Sequence, residues 1–317
     1  MLNFYFAPME GITGYTYRNI HNNCFGNIDK YYMPFVAAHE GVHLKVKEKQ
    51  DISPENNTDI NAIPQILSNK PRAFIRVAKE LSSLGYKEIN FNLGCPAGTV
   101  VAKKRGAGFL SVPDDLDRFL DEIFEGLKNT PIELSIKTRI GIKSPDEVNH
   151  IFEIYNKYPI SEIIVHPRTG KEMYRGKPHL DAFDEAVRIS RHKLCYNGDL
   201  KTLEDIRLFE KAFPTIESVM IGRGLLADPA LIRRYKGGLS IDKDELKNFH
   251  ELLYHEYLDT MPGNIIAVNR MKELWNYMSI FFPNDEKKIK DIRKSRTDKE
   301  FEASVRVLFS SGTFTNI

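Results

Sequence analysis

Residues 193–224 of the chain read KLCYNGDLKTLEDIRLFEKAFPTIESVMIGRG and contain the pattern that decides the fold. Two short apolar runs, 193–197 and 218–221, each end in a glycine-containing turn, and residues 203–213 between them have the apolar spacing of a helix. Strand, helix and strand in succession form a βαβ unit, because two parallel strands need such a crossover connection. The stretch therefore predicts an α/β protein with a parallel sheet.

The same alternation extends towards the N-terminus. Strand-type runs occur at residues 4–7, 30–35, 62–67, 88–91, 133–137, 162–166, 193–197 and 218–221. Helical periodicity occurs between them at residues 71–84, 114–127, 145–155, 181–190 and 203–213. Eight such units predict a (β/α)8 TIM barrel, which typically takes about 250 residues. An open doubly wound sheet is the main alternative, but the first run continues as APMEG and not as the expected G-x-G-x-x-G turn.

Strand-type runs stop after the break Lys236-Gly237-Gly238. Beyond it, apolar residues recur with the spacing of packed helices. One stripe contains Leu246, Phe249, Leu253 and Tyr257, and the second contains Ile265, Val268, Met271, Trp275, Met278 and Phe282. We therefore predict a barrel domain of residues 1–238 followed by a small all-helical domain of residues 239–317.

Composition limits the class of protein and its location. The chain has 45 Lys and Arg against 43 Asp and Glu, a net charge of +2, so any basic surface for nucleic acid must be local. Cys24, Cys95 and Cys195 lie far apart in an odd count, which argues against a disulfide framework and a structural zinc site. The N-terminal apolar run is too short for a signal peptide, and no run reaches membrane-spanning length. We expect a soluble cytoplasmic protein with neither a metal nor a membrane partner.

In a TIM barrel the active site lies at the carboxyl ends of the strands. Gly198 follows the seventh run, and Gly222, Arg223 and Gly224 follow the eighth, where such barrels commonly bind a phosphate. Glycines let backbone N–H groups approach an anion, although either turn alone could be only a tight turn. Together they favour a phosphate-bearing ligand, either a substrate or a cofactor such as flavin mononucleotide (FMN).

Three further strand ends carry reactive side chains. Cys95, between Gly94 and Pro96, could be a nucleophile, a proton donor or a buried structural cysteine. Lys137 and His166 could stabilise negative charge or move a proton, although a lone histidine is more often part of a core. Basic residues cluster at 103–105 and again at 287–299, and charge runs of this kind are usually solvated helix faces.

Several short motifs resemble, in sequence and in order along the chain, those of the tRNA-dihydrouridine synthases. These are flavin-dependent barrel enzymes that reduce uridine in RNA. The matching stretches are APMEGIT (7–13), NLGCP (92–96), KTRIG (137–141), HPRT (166–169), YRG (174–176), NGD (197–199) and MIGRG (220–224). One departure is clear: the family usually has an aspartate after the first motif, and this chain has Gly14.

The resemblance implies roles for individual residues around FMN. Pro8 and Met9 would lie against the flavin ring, and Gln65 would hydrogen-bond to its pyrimidine edge. Lys137 and His166 would flank the ring and the ribityl chain. The phosphate-binding segments would contribute Asn197, Gly198, Asp199, Gly222 and Arg223.

The resemblance also implies the reaction and its partners. Asn92 would orient the uracil, and Cys95 would be the general acid that protonates C5 after hydride reaches C6. NADPH would reduce the flavin, and the enzyme would be a monomer. Contacts with tRNA would come from the C-terminal helices and from Lys103, Lys104, Arg105, Arg139, Arg168, Tyr174 and Arg175. Since C6 is inaccessible in folded RNA, the target nucleotide must be flipped out, which costs a few kcal/mol.

Alternatives remain at this stage. A flavin barrel reductase of a free small molecule would share the phosphate site but would need neither the helical domain nor a basic mouth. A non-enzymatic RNA-binding barrel would not need Cys95, Lys137 and His166 together. Ribosomal RNA could replace tRNA as the substrate, because no motif names the RNA.

Overall fold

The computed structural model describes residues 2–317. Within this range, ten strands form one parallel sheet. They are β1 (Asn3–Phe6), β2 (Lys30–Tyr32), β3 (Val36–Ala37), β4 (Ala62–Ile63), β5 (Gln65–Leu67), β6 (Glu88–Leu93), β7 (Glu133–Gly141), β8 (Glu162–Thr169), β9 (Lys193–Tyr196) and β10 (Ser218–Ile221).

Two prolines split two of the predicted strands. Pro34 lies between β2 and β3, and Pro64 lies between β4 and β5; neither can donate a backbone hydrogen bond to a neighbouring strand. β2 pairs with β4, β3 pairs with β5, and β5 also pairs with β6. Because β1 pairs with both β2 and β10, the sheet closes into a ring of eight βα units. The predicted TIM barrel is confirmed.

Helices follow the strands, as the periodicity predicts. Those up to the Gly237-Gly238 turn are α1 (Tyr15–Phe25), α2 (Val46–Ile52), α3 (Pro71–Ser83), α4 (Gly98–Val101), α5 (Pro113–Leu127), α6 (Glu147–Tyr155), α7 (Leu180–Ile189), α8 (Leu203–Ala212), α9 (Arg223–Ala227) and α10 (Leu231–Tyr235). After it come α11 (Lys243–Thr260), α12 (Asn264–Met278), α13 (Glu286–Lys294) and α14 (Asp298–Ser311).

Strand β6 shows how the chain separates an apolar core from a polar interior. Successive side chains of a strand point to opposite faces. Phe91 packs between the helices, with its ring 5.2 Å from that of Phe74 and 5.1 Å from that of Phe119. Asn90 and Asn92 therefore point to the other face, into the barrel, where both are buried.

The start of α1 explains the departure at Gly14. Asp51, at the end of α2, accepts a hydrogen bond from the backbone N–H of Tyr15 at 2.6 Å. It also pairs with the buried guanidinium of Arg18 at 3.3 Å. Asp51 therefore places a carboxylate at this helix N-terminus, next to the position where the motif pattern has its aspartate.

The C-terminal helices pack on the barrel through aromatic side chains. The ring of Phe249 on α11 lies 5.0 Å from that of Phe25 and 6.0 Å from that of Tyr17, both on α1. The predicted apolar stripes are buried with one exception. Ile265 is 45% exposed, because it lies in the first turn of α12 and the buried face begins at Ala267. In the described part of the chain, no helix combines the length and hydropathy needed to cross a membrane.

His250 on α11 is buried among the rings of Tyr254, Trp275, Phe301 and Phe309. Neither ring nitrogen has a hydrogen-bond partner within residues 2–317. Burial lowers the pKa of His250 to about 3. The imidazole is therefore neutral in the folded protein at neutral pH.

Replacing His250 with Phe should reduce the loss of stability in acid. An unfolded histidine binds a proton below about pH 6.5, whereas folded His250 stays neutral down to about pH 3. The free energy of unfolding therefore falls as the pH falls through this window, and from about pH 7 to about pH 5 this group accounts for about 2 kcal/mol. Urea unfolding of both proteins at these two pH values measures the difference; an equal decrease in both would contradict the assignment.

Candidate active site

A cavity of about 500 Å³ opens at the carboxyl ends of the barrel strands, and every βα unit contributes to its lining. The predicted site residues that line it are Pro8, Met9, Gln65, Asn92, Cys95, Lys137, Arg139, His166, Tyr174, Asn197, Gly198, Asp199, Gly222 and Arg223. Those outside the lining are Lys103, Lys104, Arg105, Arg168 and Arg175. Between Leu2 and Ile317, no group of three or more His, Cys, Asp or Glu side chains is placed to hold a metal ion.

The loop after β6 presents Cys95 to the cavity. Asn92 holds this loop by accepting hydrogen bonds from the backbone N–H groups of Gly94 at 3.2 Å and Cys95 at 3.0 Å. Gly106 packs against it so closely that a Cβ there would lie 2.8 Å from the carbonyl oxygen of Cys95. Burial raises the pKa of the Cys95 thiol, despite the nearby charge of Arg139. Cys95 therefore carries its proton at neutral pH and is a potential acid.

Lys137 and Arg139 on β7 bring positive charge to the cavity. Burial and the charge of Arg139 lower the pKa of Lys137 to about 8. Its ammonium makes no hydrogen bond or ion pair within residues 2–317, although it lines the cavity. Arg139, by contrast, donates to the carbonyl oxygens of Gly94 at 2.8 Å and Thr169 at 2.9 Å. Lys137 is therefore available to a ligand, and Arg139 mainly joins two loops.

His166 on β8 is held in its neutral form. Burial lowers its pKa well below the usual value, and the charges of Arg139 and Lys137 add to this shift. Arg168 donates to Nε2 of His166 at 3.0 Å. Since an arginine has no acceptor, Nε2 must accept, and the neutral ring carries its proton on Nδ1.

Asp199 lies between two arginines after β9. Its Oδ2 pairs with Arg168 at 2.6 Å, and its Oδ1 contacts Arg223. Although burial opposes ionisation, the hydrogen bond and charge of Arg168 lower the pKa of Asp199. The Asp199 carboxylate lines the cavity and orients the Arg223 guanidinium.

Arg168 is buried outside the lining of the cavity. Its side chain is only 1% exposed. Besides its contacts with His166 and Asp199, it donates to the backbone oxygens of Arg175 and Gly176. The residue therefore organises the site from behind, and its predicted contact with RNA stays a prediction.

Tyr174 lies at the mouth of the cavity and is 56% exposed. The guanidinium of Arg139 lies 5.5 Å and that of Arg223 5.4 Å from the centre of its ring. Lys103, Lys104 and Arg175 are exposed on loops outside the cavity. At the mouth itself, positive charge comes from Arg139 and Arg223 beside Tyr174.

Among the lining residues that sequence reasoning missed are Glu10 and Tyr277. Glu10 lies within the first motif but had no assigned role, and burial raises the pKa of its carboxyl. Tyr277 comes from α12, far along the chain. Nearby on the same helix, Arg270 lies over Gly11, where a Cβ would be 3.3 Å from the guanidinium. Only the periodicity of α12 could be read from the sequence, and periodicity does not show what the outer face of a helix touches.

A family model for dihydrouridine synthase (Dus) matches residues 5–306. The chain belongs to the dihydrouridine synthase family. A probable tRNA-dihydrouridine synthase of Staphylococcus aureus strain Mu50 is 28% identical over 271 residues, covering 80% of this chain and 78% of that protein. A second one, from Aquifex aeolicus, is 28% identical over 235 residues, with coverages of 73% and 71%. The predicted family and enzyme class are confirmed.

Solved structures similar to this dihydrouridine synthase support its fold alone. A 2-naphthoyl-CoA reductase in complex with 2-naphthoyl-CoA has a TM-score of 0.56 and 11% identity, covering 74% of this chain and 50% of that one. Morphinone reductase has a TM-score of 0.51 and 11% identity, with coverages of 78% and 88%.

Alkylation of Cys95 by iodoacetamide should be slow at neutral pH and should rise only above the usual range of a thiol. The thiolate is the reactive form, and burial raises the pKa of this thiol. Mass spectrometry of the peptide containing Cys95, from about pH 6 to about pH 10, measures the rate. A Cys24→Ser variant serves as the control for the second partly buried cysteine. A rate that levels off below about pH 8 would contradict the protonated thiol.

Proposed function

We propose that this protein reduces specific uridines in tRNA to 5,6-dihydrouridine. The observation that carries the proposal is the meeting, in one cavity at the strand ends, of a protonated Cys95 thiol and an unpaired Lys137 ammonium within the described chain. The names of the similar proteins from Staphylococcus aureus and Aquifex aeolicus support tRNA as the substrate.

We propose FMN as the cofactor and NADPH as its reductant. The residues fit such a group: Arg223 is oriented by Asp199, and Gly222 lines the cavity without a side chain. Gln65 uses one N–H and one acceptor position within the barrel, so a second donor and acceptor remain for a pyrimidine edge. When bound, the reduced flavin supplies a hydride to C6 of uracil.

The remaining roles follow from position. Met9 lies beside Gly222, where an added Cβ would be 3.5 Å from the Met9 sulfur. Pro8 and Met9 line the cavity and would contact the flavin ring. Lys137 and neutral His166 would donate hydrogen bonds to the ring and the ribityl chain. Asn197 donates to the carbonyl of Met220 at 2.7 Å and so joins the two phosphate-binding turns.

Cys95 acts on the uracil as the general acid. Hydride addition at C6 leaves negative charge at C5 and O4, and the thiol proton is transferred to C5. The raised pKa of Cys95 keeps this proton in place until that charge develops. Asn92 has one N–H beyond those used within the barrel, and that group would orient the uracil.

Nucleoside mass spectrometry tests the function directly. Purified protein with FMN and NADPH should add two hydrogens to uridine in tRNA, and fragment mapping would give the position. Modification of ribosomal RNA alone would keep the chemistry and replace the substrate. Reduction of a free nucleobase, with no change in either RNA, would favour a small-molecule reductase.

Cys95→Ala should retain FMN and tRNA binding and lower turnover by about 100-fold or more, because a positioned acid contributes at least that factor. Single-turnover oxidation of the reduced flavin by tRNA measures this step. Cys24→Ser is the matched control, since Cys24 lies on α1 outside the cavity lining. Full turnover in Cys95→Ala would remove this residue from the mechanism.

We further propose that residues 239–317 form the RNA-recognition part, that residues 1–238 form the catalytic part, and that the enzyme works as a cytoplasmic monomer. The exposed basic residues of the C-terminal part support the first point. They are Lys287, Lys290, Arg293, Lys294, Arg296 and Lys299. The free cysteines Cys24, Cys95 and Cys195 of the barrel part fit the reducing cytoplasm that we propose.

Reversing two of these charges should weaken tRNA binding. Lys290→Glu with Lys294→Glu should raise the Kd for tRNA about tenfold and make its salt dependence shallower, because fewer phosphates are neutralised. Lys193→Glu with Lys211→Glu changes the net charge equally at exposed positions of β9 and α8 and serves as the control. Equal effects of the two double variants on tRNA binding would overturn the assignment, and FMN affinity should be unchanged in both.

A further inference from the structure

The barrel interior contains a continuous row of polar side chains, here called the polar chain. From the cavity towards the amino ends of the strands, it consists of Asn92, Gln65, Asn90, Ser135 and Glu88. Successive members are joined by hydrogen bonds of 2.6, 2.7, 2.9 and 2.9 Å. All except Glu88 are buried. The row therefore links the floor of the active site to the opposite end of the barrel.

Strand geometry explains why these residues meet. Glu88, Asn90 and Asn92 alternate along β6 and so share its inner face. In the parallel register, Asn90 lies beside Gln65 of β5 on one side and beside Ser135 of β7 on the other. The polar chain is thus a consequence of the pairing of three neighbouring strands.

The two ends of the polar chain fix its direction. At the cavity, Oδ1 of Asn92 faces two backbone N–H groups, which can only donate. At the far end, Glu88 accepts from Ser135 and, on its other oxygen, from the Lys30 ammonium at 2.7 Å. A carboxylate can only accept, so every amide between the ends must point its NH2 group towards Glu88.

We propose that Glu88, paired with Lys30, is a positioning residue that sets the orientation of the Gln65 amide in the active site, beside the Asn92 amide that the backbone N–H groups of Gly94 and Cys95 hold. The inference rests on the proposed function only for the identity of the ligand that these amides meet. An amide has nearly the same shape in both orientations, so packing alone does not select one. The selection comes from the two ends of the polar chain, where the donor-only N–H groups of Gly94 and Cys95 and the acceptor-only carboxylate of Glu88 favour the same direction.

Glu88→Gln replaces an acceptor-only carboxylate with an amide that can also donate, and it hardly changes the shape of the side chain. The Lys30 ammonium, which also lies 3.6 Å from Glu162, repels an NH2 group and favours an oxygen opposite it, so the new NH2 group faces Ser135. Ser135 then donates to Asn90, whose amide must turn over, and Gln65 must follow. The reversed Gln65 would point its NH2 group at that of Asn92, which the backbone N–H groups hold in place. Two NH2 groups, neither of which can accept a hydrogen bond, would therefore face each other at the wall of the cavity.

The experiment compares three variants of the full-length protein. Glu88→Gln should weaken FMN binding at least tenfold and shift the visible absorption maxima of the bound flavin. Ser135→Ala only interrupts the polar chain and should have a smaller effect, about threefold. Tyr32→Phe is the control: it removes a second hydrogen bond to Glu88, 3.0 Å long, and leaves the polar chain intact. It should bind FMN like the wild type.

A purely structural role predicts another pattern. If Glu88 contributes only to stability, its replacement would lower the midpoint of thermal unfolding and would leave the absorption spectrum of bound FMN unchanged. If Glu88→Gln matches Tyr32→Phe in FMN affinity and spectrum, the inference is overturned. Turnover with tRNA is measured in parallel; a wild type that shows these FMN effects but reduces no uridine would reject the proposed function and leave the inference standing.

Neutron diffraction from crystals of the wild type supplies a readout that needs no variant. Deuterium positions distinguish the nitrogen from the oxygen of each amide. The inference requires the Gln65 nitrogen to face Asn90 and the Asn90 nitrogen to face Ser135. The opposite orientation at either amide would overturn it, whether or not the Glu88 variant folds.

Discussion

Closure of the parallel sheet into a ring is the constraint on which the rest of the structure depends. The ring closes where Pro34 and Pro64 interrupt two adjacent strands, and each interrupted strand pairs in two short segments. The carbonyl of Pro64 still accepts from the backbone N–H of Asn90 at 2.9 Å, so the ladder continues across the break. Gln65 follows this proline directly. The interrupted strand therefore brings Gln65, the polar-chain amide next to Asn92, to the wall of the cavity.

A closed barrel also confines charge, and this determines the protonation states in the site. Lys137, Arg139, Arg168 and Arg223 are brought together by the ends of β7, β8 and β10, and Asp199, after β9, pairs with Arg168 and Arg223. Burial and mutual repulsion then lower the pKa of Lys137 and keep His166 neutral. The thiol of Cys95 keeps its proton because burial outweighs the nearby positive charge. A cavity with these groups attracts an anionic ligand and presents it with proton donors.

The sequence predicted the barrel and the meeting of its motifs, because parallel strands place all their carboxyl ends at one edge. It could not predict that Arg168 is buried. His166 and Arg168 are two residues apart on β8, so a regular strand would point both side chains towards the mouth. The register of β8 against β7, however, shifts between Arg139 and Gly141. Ser135 and Glu88 had no visible signal either, since a polar residue in a strand reads as exposed unless its buried partners are known. Asp51 likewise replaces the carboxylate missing at Gly14 from a separate helix.

Helix α12 makes the C-terminal helices part of the catalytic site. Tyr277 lines the cavity, and Arg270 lies over Gly11, whose positive φ of 77° places the first motif's turn against the helix. Gly11 adjoins Glu10 and Met9, which also line the cavity. A displacement of α12 by bound RNA would therefore act directly on the turn that carries Met9. The recognition proposed for the helices and the chemistry proposed for the barrel would therefore share a wall of the cavity.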